Sequence, residues 1–433
     1  MNQSASPSIA SQQKSYVLPM IIIGSLFFIF GFVTWVNGTL IPYLKIACQL
    51  DSDFQSFLVA TAFFIAYTVM AIPSSYVLRS TGYKKGMAIG LIIMAIGALI
   101  FVPAASTRNF NLFLVGLFII GTGLALLQTA SNPYVSIIGP IESAASRISI
   151  MGICNKVAGI LAGLIFGYIA LKDAGALEQS LRTMDEAAKN AKLDELASRV
   201  IVPYMIIAGV LVALAIAIYF SALPDINDDG DDTGADSASL NKTSVFQFPH
   251  LVLGVVSIFL YVGVEVMAGD TIITYGKSLG IPLDEARFYT QWTLSCMLVG
   301  YVIGILTIPK IISQSMALRI SAILGVLFTI LAVITSGKTS VMFIALLGLA
   351  NSLMWPAIFP LAIDGLGKFT KIGSALLIMA IAGGAILPLI YAKTAEAVGS
   401  REAYALMIPC YLFILYYAIS GYRAGKVPFT SKR

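Results

Sequence analysis

Long apolar runs recur along the chain, separated by short polar breaks, and none alternates with the period of two expected of a membrane β-strand. Such runs read as α-helices. A backbone inside a bilayer must satisfy its own hydrogen bonds, and roughly 20 helical residues cover the hydrocarbon core. A hydropathy window of roughly 19 residues predicts twelve spans, at 17–44, 54–78, 87–102, 112–138, 148–171, 201–222, 251–278, 288–308, 317–335, 341–363, 372–392 and 404–422. Between the sixth and seventh lies SALPDINDDGDDTGADSASLNK, acidic and without an apolar period, which reads as a solvated linker. The predicted organisation is a polar tail at 1–16, a six-helix bundle at 17–222, a linker at 223–248, a second six-helix bundle at 249–422 and a tail at 423–433. The fold class is therefore an all-α membrane protein.

The two sets of six share a weak internal symmetry. The fourth span reads GTGLALLQTASNPYV and the tenth LLGLANSLMWPAIF, each with Gly-Leu-Ala, then a polar group, then a proline. Transporters built from such repeats place the substrate between the halves, near the bilayer midplane. Orientation follows from basic residues in short loops. Lys14, Arg79, Lys84, Lys85, Arg147, Lys310, Lys368, Lys371, Arg423, Lys426, Lys432 and Arg433 all fall on one side, which predicts that both termini are cytoplasmic. The Ala-, Leu-, Glu- and Lys-rich stretch at 173–199 is expected to form a helical excursion on the other side.

Composition narrows the class. Charged residues make up 11% of the chain and hydrophobic ones 58%, where a soluble domain carries about 25% charged residues, so this chain could not keep its surface wet. The net charge of +5 is too small to point to nucleic acid. Cys48, Cys154, Cys296 and Cys410 are scattered, with neither metal-ligand spacing nor a disulfide framework. There is no Gly-rich phosphate loop ending in Lys-Ser/Thr, which disfavours ATP-driven transport, and no nucleophile–base pair marks an enzyme. No cleavable signal peptide precedes the first span. The single histidine, His250, is expected at the membrane interface rather than in a proton relay. These features predict a monomer in the lipid bilayer that needs no cofactor.

Polar residues inside the spans carry the chemistry. The seventh span holds Glu265 and Asp270 near its middle, beside Gly263 and Gly269. A carboxylate at mid-membrane costs at least ~2.5 kcal/mol even on the lenient insertion scale, so both should face a cavity or a cation. The alternative is a buried ion pair that only fixes helix packing. Lys156 in the fifth span lies about nine residues, or ~13 Å of helix, from the predicted membrane edge. That is far for snorkelling, and the nearest suitable anions are Glu265 and Asp270 in the other half. Asn37 in WVNGTLIP needs a protein or ligand partner if it is kept from lipid. Gln128 and Asn132 are four apart on one helical face and provide donors and acceptors suited to hydroxyls. Asn155 precedes Lys156, Gln291 adjoins Trp292, and Asn351 lies four residues before Trp355, which predicts a shared face. Trp35 and Trp355 sit mid-run, where an aromatic face can pack on the C–H side of a sugar ring while amides take its hydroxyls.

The segments FGFVTWVNGTLIP, GLFIIGTGLALLQTASNPYVSIIGP and NSLMWPAIFPLAI resemble the fucose–galactose–glucose:cation symporter family of the major facilitator superfamily, and RSTGYKKG is similar to that superfamily's loop signature. The resemblance spans nearly the whole chain. It implies the major facilitator fold of twelve helices in two six-helix bundles, residence in a bacterial inner membrane, and import of a neutral hexose-type sugar by cation symport with alternating access. The proton-coupled fucose-transporting branch carries an Asp after the first-span Asn, where this chain has Gly38, and a Glu where this chain has Gln128. That glutamine resembles the glucose/galactose-transporting branch. WVNGTLIPYLK, CNKVAGI and GVEVMAGDT are similar to bacterial hexose or N-acetylglucosamine permeases of the family. The expected sugar site comprises Trp35, Asn37, Gln128, Asn132, Asn155, Gln291, Asn351 and Trp355, and coupling moves to Glu265, Asp270 and Lys156. With the branch's proton-linked carboxylates absent, the expectation leans to Na⁺ over H⁺. Na⁺ would sit near Asp270, where unwound carbonyls about Gly269 add oxygens. The alternatives are an uncoupled uniporter and a non-transporting membrane sugar sensor.

Overall fold

The computed structural model describes residues 9–138, 144–181, 183–221 and 242–426. Most of the linker expected at 223–248, and the tail residues 1–8 and 427–433, lie outside the described residues. Among the described residues, twelve helices are long and apolar enough to cross a membrane. Their outward faces carry apolar side chains such as Val202, Ile206, Phe220, Leu306 and Ile334, each more than 60% exposed. A water-soluble surface would not tolerate a continuous band of that kind, whereas acyl chains cover it.

Several spans are not single rods. The first span is Ile9–Trp35 followed by Asn37–Ala47, interrupted at Val36, with Pro42 unable to donate in the second piece. The second and third spans run from Asp53 to Ser106 through a sharp bend at Gly82, whose φ of 76° needs a residue without a β-carbon. The third span therefore begins at Ser80, earlier than the expected 87, because the helix continues through Lys84 and Lys85, which hydropathy had counted as loop. The seventh span, Pro249–Asp270, stops at Thr271 and resumes as Ile272–Ser278. The tenth is Gly337–Asn351 and then Met354–Ile363, with Pro356 in the first turn of the second piece, where its missing N–H costs least. The excursion at 173–199 holds two helices, Ala174–Ser180 and Glu186–Ser198. The second packs on the first span, where Tyr43 Oη donates to the carbonyls of Leu196 at 2.9 Å and Ala197 at 3.0 Å.

Helices within each half approach closely through glycine, and the same contact recurs in both halves. A β-carbon on Gly121 in the fourth span would lie 2.3 Å from the Phe63 carbonyl oxygen in the second. On Gly348 in the tenth it would lie 2.0 Å from the Thr293 carbonyl oxygen in the eighth. Likewise Gly31 ties the first span to the backbone of Asn155 in the fifth, and Gly383 ties the eleventh to the backbone of Phe259 in the seventh. Small residues let membrane helices pack backbone to backbone, where there is no water to drive association.

His250 is 2% exposed, and its Nε2 lies 3.0 Å from the Asp364 carbonyl oxygen. It therefore ties the start of the seventh span to the end of the tenth. The two halves are bridged at the end opposite the termini. Lys277 Nζ pairs with Glu178 Oε2 at 2.6 Å, and Arg287 Nη1 donates to the carbonyls of Leu171 at 2.9 Å and Gly167 at 3.3 Å. Gly348→Leu and Gly383→Leu should each destabilise by about 1–3 kcal/mol or more through overpacking. Gly209, with nothing within 4 Å of its notional β-carbon, should accept leucine nearly without cost. Melting curves in detergent compare the three, and equal melting would show that the close contacts do not hold the helices.

Candidate substrate cavity and buried ion pair

The breaks in the first and seventh spans and the polar faces of the fourth and fifth surround one cavity between the two halves. It offers about 110 Å³ to water, where one water needs roughly 10–15 Å³, so it accommodates several waters. Trp35, Gln128, Asn132, Asn155, Lys156, Glu265, Asp270 and Trp355 all line it. The four-residue spacing puts Gln128 and Asn132 on one wall, where Asn132 Nδ2 donates back to the Gln128 carbonyl at 3.0 Å. Gln128 Nε2 donates to Tyr67 Oη of the second span at 3.0 Å.

The charged centre lies where the halves meet. Lys156 Nζ donates to Glu265 Oε1 at 3.0 Å, and both side chains are about nine-tenths buried, at 8% and 11% exposure. The ammonium also lies 4.3 Å from the centroid of the Trp35 ring, within cation–π range. Trp35 is fixed from three sides. Its Nε1 donates to Asn155 Oδ1 at 3.0 Å, and the ring fills the space left by Gly159 in the fifth span and Gly269 in the seventh. A β-carbon on Gly269 would fall 2.5 Å from the ring. One aromatic side chain of the first half thus rests on the backbone next to Asp270 in the second.

Three residues expected in the sugar site lie outside the cavity. Asn351 is fully buried, and its Oδ1 accepts from Tyr411 Oη at 2.9 Å. The helix break at Ser352 and Leu353 rotates Trp355 off the face of Asn351, so the four-residue spacing does not hold across it. Gln291 is turned into the gap left by Gly163, against the fifth span. Asn37 is fully buried beside the first-span break, with neither amide atom hydrogen-bonded among the described residues. Trp292 is 46% exposed and packs on Tyr289, away from the cavity.

The cavity also includes aromatic residues that sequence reasoning did not single out. Phe27, Phe30, Phe64, Tyr67, Tyr261 and Tyr301 line it. Trp355 lies 6.5 Å from Tyr261 and 5.6 Å from Phe359, centroid to centroid. With 24 Phe and 19 Tyr in the chain, position within a span could not distinguish these from lipid-facing aromatics. The one available signal was the helical register of Tyr261, which lies four residues before Glu265 on the same face. In sum the cavity is lined by amides and hydroxyls, by aromatic rings and by a buried ion pair. That arrangement can hold a small polyhydroxylated ring and exchange a positive charge.

Residues 23–388 match the family model described as Major Facilitator Superfamily. A glucose/galactose transporter of Brucella abortus biovar 1 (strain 9-941) is 35% identical over 95% of this chain and 96% of its own length. An L-fucose-proton symporter of Escherichia coli (strain K12) is 30% identical over 96% of this chain and 95% of its own. The crystal structure of FucP, a transporter of that superfamily in the outward conformation, superposes with a TM-score of 0.75 at 29% identity, covering 93% of this chain and 98% of FucP.

Removing one partner of a buried ion pair leaves an uncompensated charge and costs about 3–5 kcal/mol, whereas replacing both by apolar groups of similar size is often neutral. Lys156→Met and Glu265→Met should therefore each lower the melting temperature in detergent, and the double variant should recover most of the loss. Additive losses in the double variant would contradict the pairing.

Proposed function

Because this chain belongs to the Major Facilitator Superfamily, we propose that it is a secondary transporter that imports a neutral hexose-type sugar together with a cation, by alternating access. The observation that carries this reading is the joint presence, in one cavity between the halves, of facing amides and aromatic rings with an inter-half ion pair. In this reading Gln128, Asn132 and Asn155 take sugar hydroxyls, and Trp35 and Trp355 cover the apolar faces of the ring. Glucose, galactose and N-acetylglucosamine are the leading sugars, since a curated relative is named for the first two. The bundles at 17–222 and 249–422 rock about the cavity, both termini face the cytoplasm, and the membrane is the bacterial inner membrane.

Coupling belongs to Lys156, Glu265 and Asp270. A cation entering beside Glu265 or Asp270 alters the charge balance between the halves and so favours one of their orientations. The expected lean to Na⁺ has no support among the relatives, two of which are named as proton symporters. We therefore propose a coupling cation and leave its identity to the gradient. The uniporter alternative predicts equilibration without accumulation, and the sensor alternative predicts no counterflow.

Purified protein in proteoliposomes should exchange at least one labelled sugar of a panel of glucose, galactose, N-acetylglucosamine and fucose. It should concentrate that sugar when either an inward pH gradient or an inward Na⁺ gradient is imposed alone. Exchange without accumulation under both gradients would leave the uniporter. Loss of a single amide hydrogen bond costs about 0.5–1.5 kcal/mol, so Gln128→Ala and Asn132→Ala should raise the half-saturation concentration roughly two- to tenfold. Unchanged half-saturation in both would remove them from the sugar site.

A further inference from the structure

The two interrupted spans meet at their breaks. Asn37 opens the second piece of the first span, and Asp270 closes the first piece of the seventh. Between them Gly38 is pressed against the carboxylate. A β-carbon built on Gly38 would lie 3.2 Å from Asp270 Oδ1 and 3.0 Å from Thr290 Oγ1. The Asp270 carboxylate therefore occupies the space that a side chain at position 38 would fill. Thr290 donates its hydroxyl to the Gly269 carbonyl at 2.7 Å, so its oxygen lone pairs stay free for an acceptor role.

The two carboxylates of the seventh span are not in the same condition. Glu265 is held by Lys156. Asp270 is 1% exposed, and its Oδ1 has no hydrogen-bond partner among the described residues. A buried carboxylate is tolerated when it is paired, protonated or bound to a cation. Asp270 closes the first helical piece of its span, and the carbonyls of Met267, Ala268 and Gly269 before it accept from the hydroxyls of Thr271, Thr293 and Thr290.

We propose that Asp270, seated on Gly38 beside Thr290, is the binding place of the transported cation, and that the Glu265–Lys156 pair is not. This rests on the symport reading. The site asks for one small positive charge, and a proton or Na⁺ satisfies it. Because Gly38 belongs to the first half and Asp270 to the second, a cation arriving there alters the contact between halves directly.

The test relocates the carboxylate. Native protein, Asp270→Asn, and Asp270→Gly combined with Gly38→Asp are reconstituted, and accumulation of the panel sugar that the native protein exchanges is measured under a pH gradient and a Na⁺ gradient separately. Asp270→Asn should exchange sugar but stop at equilibration, and the relocated variant should concentrate it again under the same gradient that drives the native protein. If Asp270→Asn still concentrates sugar, or the relocated variant exchanges without concentrating, the proposal is overturned. If the native protein concentrates sugar under neither gradient, the symport reading itself fails.

A second measurement does not depend on variants. The native protein is treated with a hydrophobic carbodiimide and the labelled peptides are mapped by mass spectrometry. Label on Asp270 is expected, slowed by Na⁺ if Na⁺ is the coupling ion and quickened by acid if the proton is, because the carbodiimide adds to the protonated carboxyl. Label confined to Glu265 would overturn the assignment.

Discussion

The contact between Lys156 and Glu265, roofed by the Trp35 ring, is the constraint from which the rest of the site follows. Neither charge could be held at this depth in a bilayer alone. Each comes from a different half of the chain, so the price of burying them is met at the junction where a transporter has to move. Trp35 links this pair to the cavity-lining amides through Asn155, and to the seventh-span break through Gly269. Trp35 thus touches the ion pair, the break and the cavity wall at once.

Within each half helices meet backbone to backbone, whereas between the halves side chains pack on glycines, as Trp35 does on Gly269, and polar groups form ties. Inside each half, glycines bring helices together backbone to backbone, as Gly121 does on Phe63 and Gly348 on Thr293. Such packing has no alternative arrangement within reach and makes each half rigid. Between the halves the ties include polar, point-like contacts: Lys156 to Glu265, Lys277 to Glu178, Arg287 to the carbonyls of Gly167 and Leu171, and Thr61 Oγ1 to the Ala385 carbonyl at 2.9 Å. Contacts of that kind can be exchanged for others at modest cost, which is what two rigid bodies need in order to rock.

Much of this was legible in the sequence, for identifiable reasons. The twelve spans follow from run length, since hydropathy is a property of consecutive residues. The partnership of Lys156 with a seventh-span carboxylate was also foreseeable, because so few charges lie inside the spans that the candidates were limited. The cavity-lining set was harder. Gln128 and Asn132 lie on an unbroken helix, and their spacing correctly placed them together. Asn351 and Trp355 have the same spacing but straddle a break, and periodicity fails where the helix does. Asn37 and Gln291 are buried amides like those of the cavity, yet their direction depends on tertiary contacts that no local pattern encodes. The proximity of Gly38 to Asp270 was invisible for the same reason, since it joins residues more than two hundred positions apart.

The account turns on whether charge crosses with the sugar. A sugar-concentration jump on native proteoliposomes adsorbed to a supported-membrane electrode measures this directly, without any variant. The predicted result is a transient inward positive current that appears with the transported sugar and is absent with a sugar the protein does not exchange. Sugar entry at the same rate with no accompanying current would contradict it, and would mean that the buried charges hold the halves together without carrying an ion.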